Sequence, residues 1–202
     1  MRIEETTISP NVWGPSFWRL LNQIVRYSHD FPHNLLDDFV KLFTVLQDVL
    51  PCPLCRQHCG SIYAANNNFL SQLTLHNSIK WLYTFRSYVN KYAKSETISY
   101  HDYIKMLHSH HHLISKNEVL DLLALITLNY PHGSDEISSK RRASIFIFIK
   151  TLSKLVKYIP HLRDLEILEP SVVWANRVEL KKWLKKKARH ISHHHLHFRI
   201  KH

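Results

Sequence analysis

The sequence predicts an all-α protein. Apolar residues recur at i, i+3 and i+4 over most of the chain, and no run shows sustained strand alternation bounded by turn residues. Glycine is nearly absent, with only Gly14, Gly60 and Gly133.

Taken in order, Trp18, Leu21, Ile24 and Val25 mark one face of a first helix, and Leu35, Phe39, Leu42, Phe43 and Leu46 that of a second. Pro51 ends the second helix, and Pro53 suits the first turn of a third, where a missing N–H costs nothing. That third helix runs to about Ala65, where the string AANNN breaks it. A fourth, from about Leu75 to Tyr92, carries Ile79, Leu82, Tyr83 and Tyr88. Two later helices are expected in LDLLALITLNYP and IFIFIKTLSKLVKYIP, with HGSDEISSKRR as a loop between them. The chain thus divides into a unit over residues 1–95, a polar connector over 96–118 with one short helix, and a cysteine-free helical unit over 119–202 with a basic tail.

The second unit echoes the first. Trp18-Arg19-Leu20-Leu21, Phe31-Pro32 and Phe43 through Pro51-Cys52 are followed by Leu122 onward, Tyr130-Pro131 and Leu152 through Pro160-His161. In that register His161 stands for Cys52 and Asp164 for Cys55, so a duplicate would lack the sulfur. Two unrelated helical hairpins, each with a proline, would give the same pattern.

Composition bounds the function. With 202 residues the chain can build one substantial core or two small helical units, and 45% hydrophobic content excludes a disordered chain. No stretch reaches the roughly 18 continuous apolar residues of a membrane span, and MRIEETTISPN lacks the apolar centre of a secretory signal. The expectation is a soluble protein that is not secreted. Three glycines cannot supply a glycine-rich dinucleotide fingerprint or a P-loop, so helices and side chains must hold any nucleotide. The formal net charge of +11 lies entirely in residues 141–202.

Cys52, Cys55 and Cys59 fall together in LPCPLCRQHC, a local chemical cluster and not a framework of bridges. Two cysteines separated by two residues at a helix start can close a small disulfide ring. Unpaired amides at that terminus stabilise a thiolate, and Arg56 adds positive charge one residue past Cys55, which suits thiol–disulfide exchange. Two other readings fit the same residues. Zinc on Cys52, Cys55, His58 and Cys59 is one, although closed zinc sites normally draw a second ligand pair from a separate segment. Three buried, inert cysteines are the other.

The flanking segments carry more information. WGPSFWRLLNQI, LPCPLCRQHC and LHNSIKWL, in this order, resemble the Erv/ALR sulfhydryl oxidase family, in particular the versions carried by large DNA viruses. That family shows a WGPxxWxxLH opening, a PCxxCRxHF/Y centre and an HNxVN segment. The match covers roughly residues 12–92.

The resemblance implies a four-helix bundle with a short fifth helix, holding FAD. Trp18 and His76 would line the flavin site, with His58 and Asn77 helping to hold it. Trp13, Gly14, Asn22 and Tyr83 join the candidate contacts, Trp81 and Phe85 are further candidate walls, and Arg56 and Lys80 are candidate phosphate partners. Cys55 would be the flavin-proximal sulfur and Cys52 the one a substrate thiolate attacks. The partners expected are protein dithiols and oxygen, with either a homodimer or an intramolecular pseudo-dimer. The compartment expected is host cytoplasm, nucleus or the virion.

The chain departs from the family at three positions. Asn22 stands where His is usual, Lys80 replaces the second Asn of HNxVN, and Cys59 replaces an aromatic. A second cysteine pair for shuttling electrons is also missing. HSHHH at 108–112 and HHHLH at 193–197 read as solvent-facing clusters or as metal ligands. The tail NRVELKKWLKKKARHISHHHLHFRIKH, with Val178, Leu180 and Trp183 as an apolar stripe, reads as a solvated face or as a contact for an acidic partner or nucleic acid. A reading from a different class is a non-enzymatic, basic helical protein that binds zinc or nucleic acid.

Overall fold

The structure is a computed structural model that describes residues 8–66, 68–109, 113–131, 134–165 and 167. The histidines at 110–112 and the whole of the basic tail, including the 193–197 cluster, lie outside the described residues. Among those described the chain is all helical, with eight α-helices and no strand. They are α1 (Pro10–Arg26), α2 (Leu36–Thr44), α3 (Leu46–Val49), α4 (Pro53–Ala65), α5 (Ser78–Ala93), α6 (Tyr100–His108), α7 (Lys116–Leu128) and α8 (Glu136–Leu155). None of the described helices is long and apolar enough to cross a membrane.

Local chemistry sets the boundaries. α1 opens on Ser9, whose hydroxyl accepts from the Asn11 amide at 3.4 Å, with Pro10 in the first turn. α4 runs from Pro53 to Ala65, as the proline and the AANNN break imply. The expected single second helix is divided at Val45: the Thr44 hydroxyl donates to the Val40 carbonyl at 2.9 Å and the chain tightens before a last turn, α3. α5 starts later than expected, because the Asn77 side chain accepts from the Thr74 amide at 2.9 Å and donates to the Gln72 carbonyl at 2.6 Å, closing a turn ahead of it.

One expectation changes. Most of HGSDEISSKRR is helix and not loop: Asp135 caps α8, accepting from the Ser138 amide at 2.9 Å and its hydroxyl at 2.7 Å. Those two bonds hold the Asp135 carboxyl below its usual range. The short helix expected in the polar connector is α6, and it has a buried face on which Tyr103 and Leu107 are 0% and 1% exposed. Tyr103 donates its hydroxyl hydrogen to Asn22 Oδ1 on α1 at 2.8 Å, which fastens the connector to the first helix.

The core is continuous from Ile8 to Ile167, so residues expected in two units share it. α8 lies across α2 and α3, α7 packs on α1, and α5 packs on α1 and α4. From α8, Ile145, Phe148 and Leu152 are each 0% exposed. Each such side chain stabilises the fold by about 1.5–3 kcal/mol. Ser28 after α1 and Ser78 at the start of α5 share a 2.7 Å hydroxyl contact, pinning the two helices end to end.

Candidate active site: a disulfide on the wall of an apolar cavity

Cys52 is the N-cap of α4, in extended conformation, and Cys55 lies in that helix's first turn. The two form a disulfide with Cα atoms 5.2 Å apart. The Cys55 amide donates to Cys52 Sγ at 3.2 Å, so an α4 N-terminal N–H that would otherwise lack a helical partner points at sulfur. Negative charge on Cys52 is stabilised at such a terminus. Cys52 is only 4% exposed and Cys55 is half-buried. Cys59, one turn further along α4, is a buried free thiol pushed up to about 12 by burial, a rise that the Tyr63 hydrogen bond moderates and the Asp48 charge adds to.

The three cysteines border a cavity of about 1040 Å³, at the upper end of the roughly 300–1,000 Å³ usual for ligand pockets. α1 supplies Trp13, Gly14, Phe17, Trp18 and Asn22, and α4 adds His58. The far half of α5 supplies Phe85, Arg86, Val89, Asn90 and Tyr92, and α6 contributes Met106. Spacing explains the α5 set: Phe85, Val89 and Tyr92, like Arg86, Asn90 and Ala93, recur at helical intervals on one face.

The walls are aromatic and bear cations. Trp13 is fixed by its indole N–H donating to the Ile8 carbonyl at 3.2 Å, edge-on to Phe17 at 5.6 Å between ring centres. His58 stacks on Tyr92 at 4.9 Å. The Arg86 guanidinium stands over the Trp18 ring at 5.3 Å, without a hydrogen-bond acceptor among the described residues. Arg19 also reaches the cavity, paired with Glu118 of α7. Among the described residues, Asp and Glu are absent from its lining. A Cβ added at Gly14 would meet open space within 4 Å, so the backbone there admits close approach by a ligand.

Of the residues the sequence singled out, Trp13, Gly14, Trp18, Asn22, Cys52, Cys55 and His58 border this cavity, and so does Phe85. Arg56, His76, Asn77, Lys80 and Tyr83 do not. Arg56 donates to the Leu50 carbonyl at 2.8 Å, and Asn77 serves the turn before α5. His76 and Lys80 are exposed at the opposite end of α5 from the cavity-lining set. Tyr83 donates to the Ile98 carbonyl at 3.0 Å and meets the Tyr100 ring at 5.1 Å, holding the connector. Trp81 is core, its indole N–H donating to the Phe69 carbonyl at 2.7 Å.

Sequence reasoning missed Arg86, Val89, Asn90 and Tyr92. A signal was present in the spacing: Phe85, already a candidate wall, shares a helical face with Val89 and Tyr92, and Arg86 lies one turn before Asn90.

Among the described residues, no group of three or more His, Cys, Asp or Glu is arranged to hold a metal ion. Fold and site together define an all-helical protein with a CxxC disulfide, at a helix N-terminus, on the wall of an aromatic and cation-bearing cavity. In comparisons with family models, curated proteins and solved structures, the chain matches none.

Proposed function

We propose that the chain is an FAD-dependent thiol oxidase that forms disulfides in protein substrates. The observation that carries this reading is the Cys52–Cys55 disulfide on the wall of a large aromatic cavity that has cations and no carboxylate in its lining. Those residues fit the cofactor's chemistry. Trp13, Trp18 and Phe85 offer flat walls, Gly14 leaves room for a ring at van der Waals distance, and Arg86 offers a charge that no described acceptor takes up. When bound, FAD supplies the two-electron chemistry, reoxidising the cysteine pair and delivering the electrons to oxygen as hydrogen peroxide.

The protein's own steps are thiol–disulfide exchanges. A substrate thiolate attacks Cys52 Sγ; the Cys52–Cys55 bond breaks, a mixed disulfide forms at Cys52, and Cys55 leaves as a thiolate. A second substrate thiolate attacks the substrate sulfur of that mixed disulfide, giving the substrate disulfide and releasing Cys52. The α4 amides stabilise the Cys52 thiolate so released, as the 3.2 Å contact from the Cys55 amide indicates. Such a source of disulfides is needed in a reducing compartment.

The packing supports an intramolecular pseudo-dimer. In the sequence echo α1 corresponds to α7 and α2 to α8, and each packs on its counterpart. A two-fold interface brings the same elements of two copies together in this way.

Oxygen consumption with a dithiol tests the activity. The expected outcome is turnover by the native chain and none by Cys52→Ser or Cys55→Ser, each with flavin retained. Turnover in either variant overturns the site. Of the two residues Cys52 is the more buried, against the proposed order, so the roles need a trap. Cys55→Ser should accumulate a mixed disulfide at Cys52; accumulation at Cys55 in Cys52→Ser instead would reverse them.

A further inference from the structure

The peptide that leads into the redox pair is held from the cysteine-free half of the chain. Pro51 has no N–H, so its own backbone offers only the carbonyl as an anchor. That carbonyl accepts from Asn129 Nδ2 at 2.5 Å, and from the Ile8 amide at a longer 3.4 Å. Asn129 caps the C-terminus of α7 and is itself seated: Arg141 of α8 donates through Nη2 to its carbonyl at 3.2 Å. The same guanidinium donates through Nε to the Asp48 carbonyl at 3.3 Å, at the end of the helix that runs into Pro51. The Asp48 carboxylate accepts from the Ser144 hydroxyl at 2.9 Å. Asn129 and Arg141 are each 5% exposed, so water is poorly placed to replace these bonds.

We infer that Asn129, seated by Arg141, is a positioning residue for the Cys52–Cys55 couple. Cys52 must keep an extended N-cap conformation for its sulfur to lie against both Cys55 and the α4 amides. Orienting the Pro51–Cys52 peptide from outside α4 holds the two thiols at the separation the disulfide needs, which raises their effective concentration toward each other. Without the Asn129 amide, the carbonyl keeps, among the described residues, only the longer bond from Ile8, and the dithiol closes less favourably. This gives the sulfur-free half a task at the reacting bond, and it builds on the oxidase reading for its consequence in turnover.

The test is the equilibrium between the reduced Cys52/Cys55 dithiol with oxidised glutathione, and the Cys52–Cys55 disulfide with two glutathione molecules. It is read by acid quench, alkylation and mass. Asn129→Ala should shift this equilibrium about tenfold toward the dithiol, about 30 mV for the two-electron couple. Asn129→Asp, of equal size but without the donor, should shift it the same way, and decides the matter if the alanine variant does not fold. Thr151→Ala is the control: Thr151 is buried on α8 and bonds only carbonyls of its own helix, Ile147 and Phe148. It should lower the Tm and leave the equilibrium alone. An unchanged equilibrium in a folded Asn129 variant, or an equal shift in Thr151→Ala, overturns the inference. The equilibrium is set with oxygen excluded and read on the cysteine thiols alone, so failure here leaves the oxidase reading standing, and a protein that binds no FAD fails that reading without touching this one.

Discussion

Removing one oxygen atom tests whether the connector belongs to the site. Tyr103 is 0% exposed and donates to Asn22 Oδ1, itself on a side chain 3% exposed that borders the cavity. Tyr103→Phe keeps the ring and its packing, so no cavity is created, and the cost is that of a buried acceptor left unsatisfied. That cost is about 1–3 kcal/mol, and about 2 kcal/mol is the central value. For a chain of this size each kcal/mol lowers Tm by about 2–4 °C, so a fall of about 4–8 °C is expected by far-UV circular dichroism. The double variant Asn22→Leu with Tyr103→Phe removes both polar groups and should recover more than half of the loss, because an apolar pair of similar shape is nearly neutral. An unchanged Tm in Tyr103→Phe, or a double variant no more stable than the single, would refute the reasoning that α6 is fastened to α1 through this bond.

Two further outcomes follow from the same geometry. Arg86→Met keeps the apolar stem over Trp18 and removes the charge; flavin titration should show affinity weaker by about 10–100-fold, the worth of a charge-assisted hydrogen bond, whereas unchanged affinity would remove Arg86 from the site. Cys59 keeps its proton up to about 12 in the fold, against an ordinary value of 9.0. The unfolded chain therefore releases that proton first, and stability falls as pH rises from about 9. Cys59→Ala should flatten this alkaline loss in unfolding measured between about pH 9 and 11, and native Cys59 should resist alkylation at neutral pH.

The helices were legible because apolar period and proline placement act locally. α4 begins at Pro53 and ends at Ala65 for reasons contained in its own residues. The first two turns of α8 were not legible: Ser138, Ser139, Lys140 and Arg142 look like a loop, and their helix depends on the Asp135 cap and on Arg141 and Ser144 finding partners around Asp48. The short helix in the connector was legible, but its buried face was not, since the burial of Tyr103 needs α1 as a surface. At the site, the α1 motif and the cysteine pair were readable because each is contiguous in sequence. The α5 wall was not, because which face of a long helix meets a cavity depends on how that helix is docked. Tyr83 and Trp81 carry the right side chains on α5 and bond elsewhere, while Arg86 and Asn90 face the cavity.

The central claim is that the cavity beside Cys52 and Cys55 holds FAD. The most direct measurement is the cofactor content of the purified full chain: the visible absorption spectrum, followed by denaturation and chromatographic identification of what is released. The account predicts a yellow protein that releases FAD in stoichiometric amount, with the absorption band bleached by a dithiol and restored by oxygen. A colourless chain that takes up no FAD on titration would contradict it.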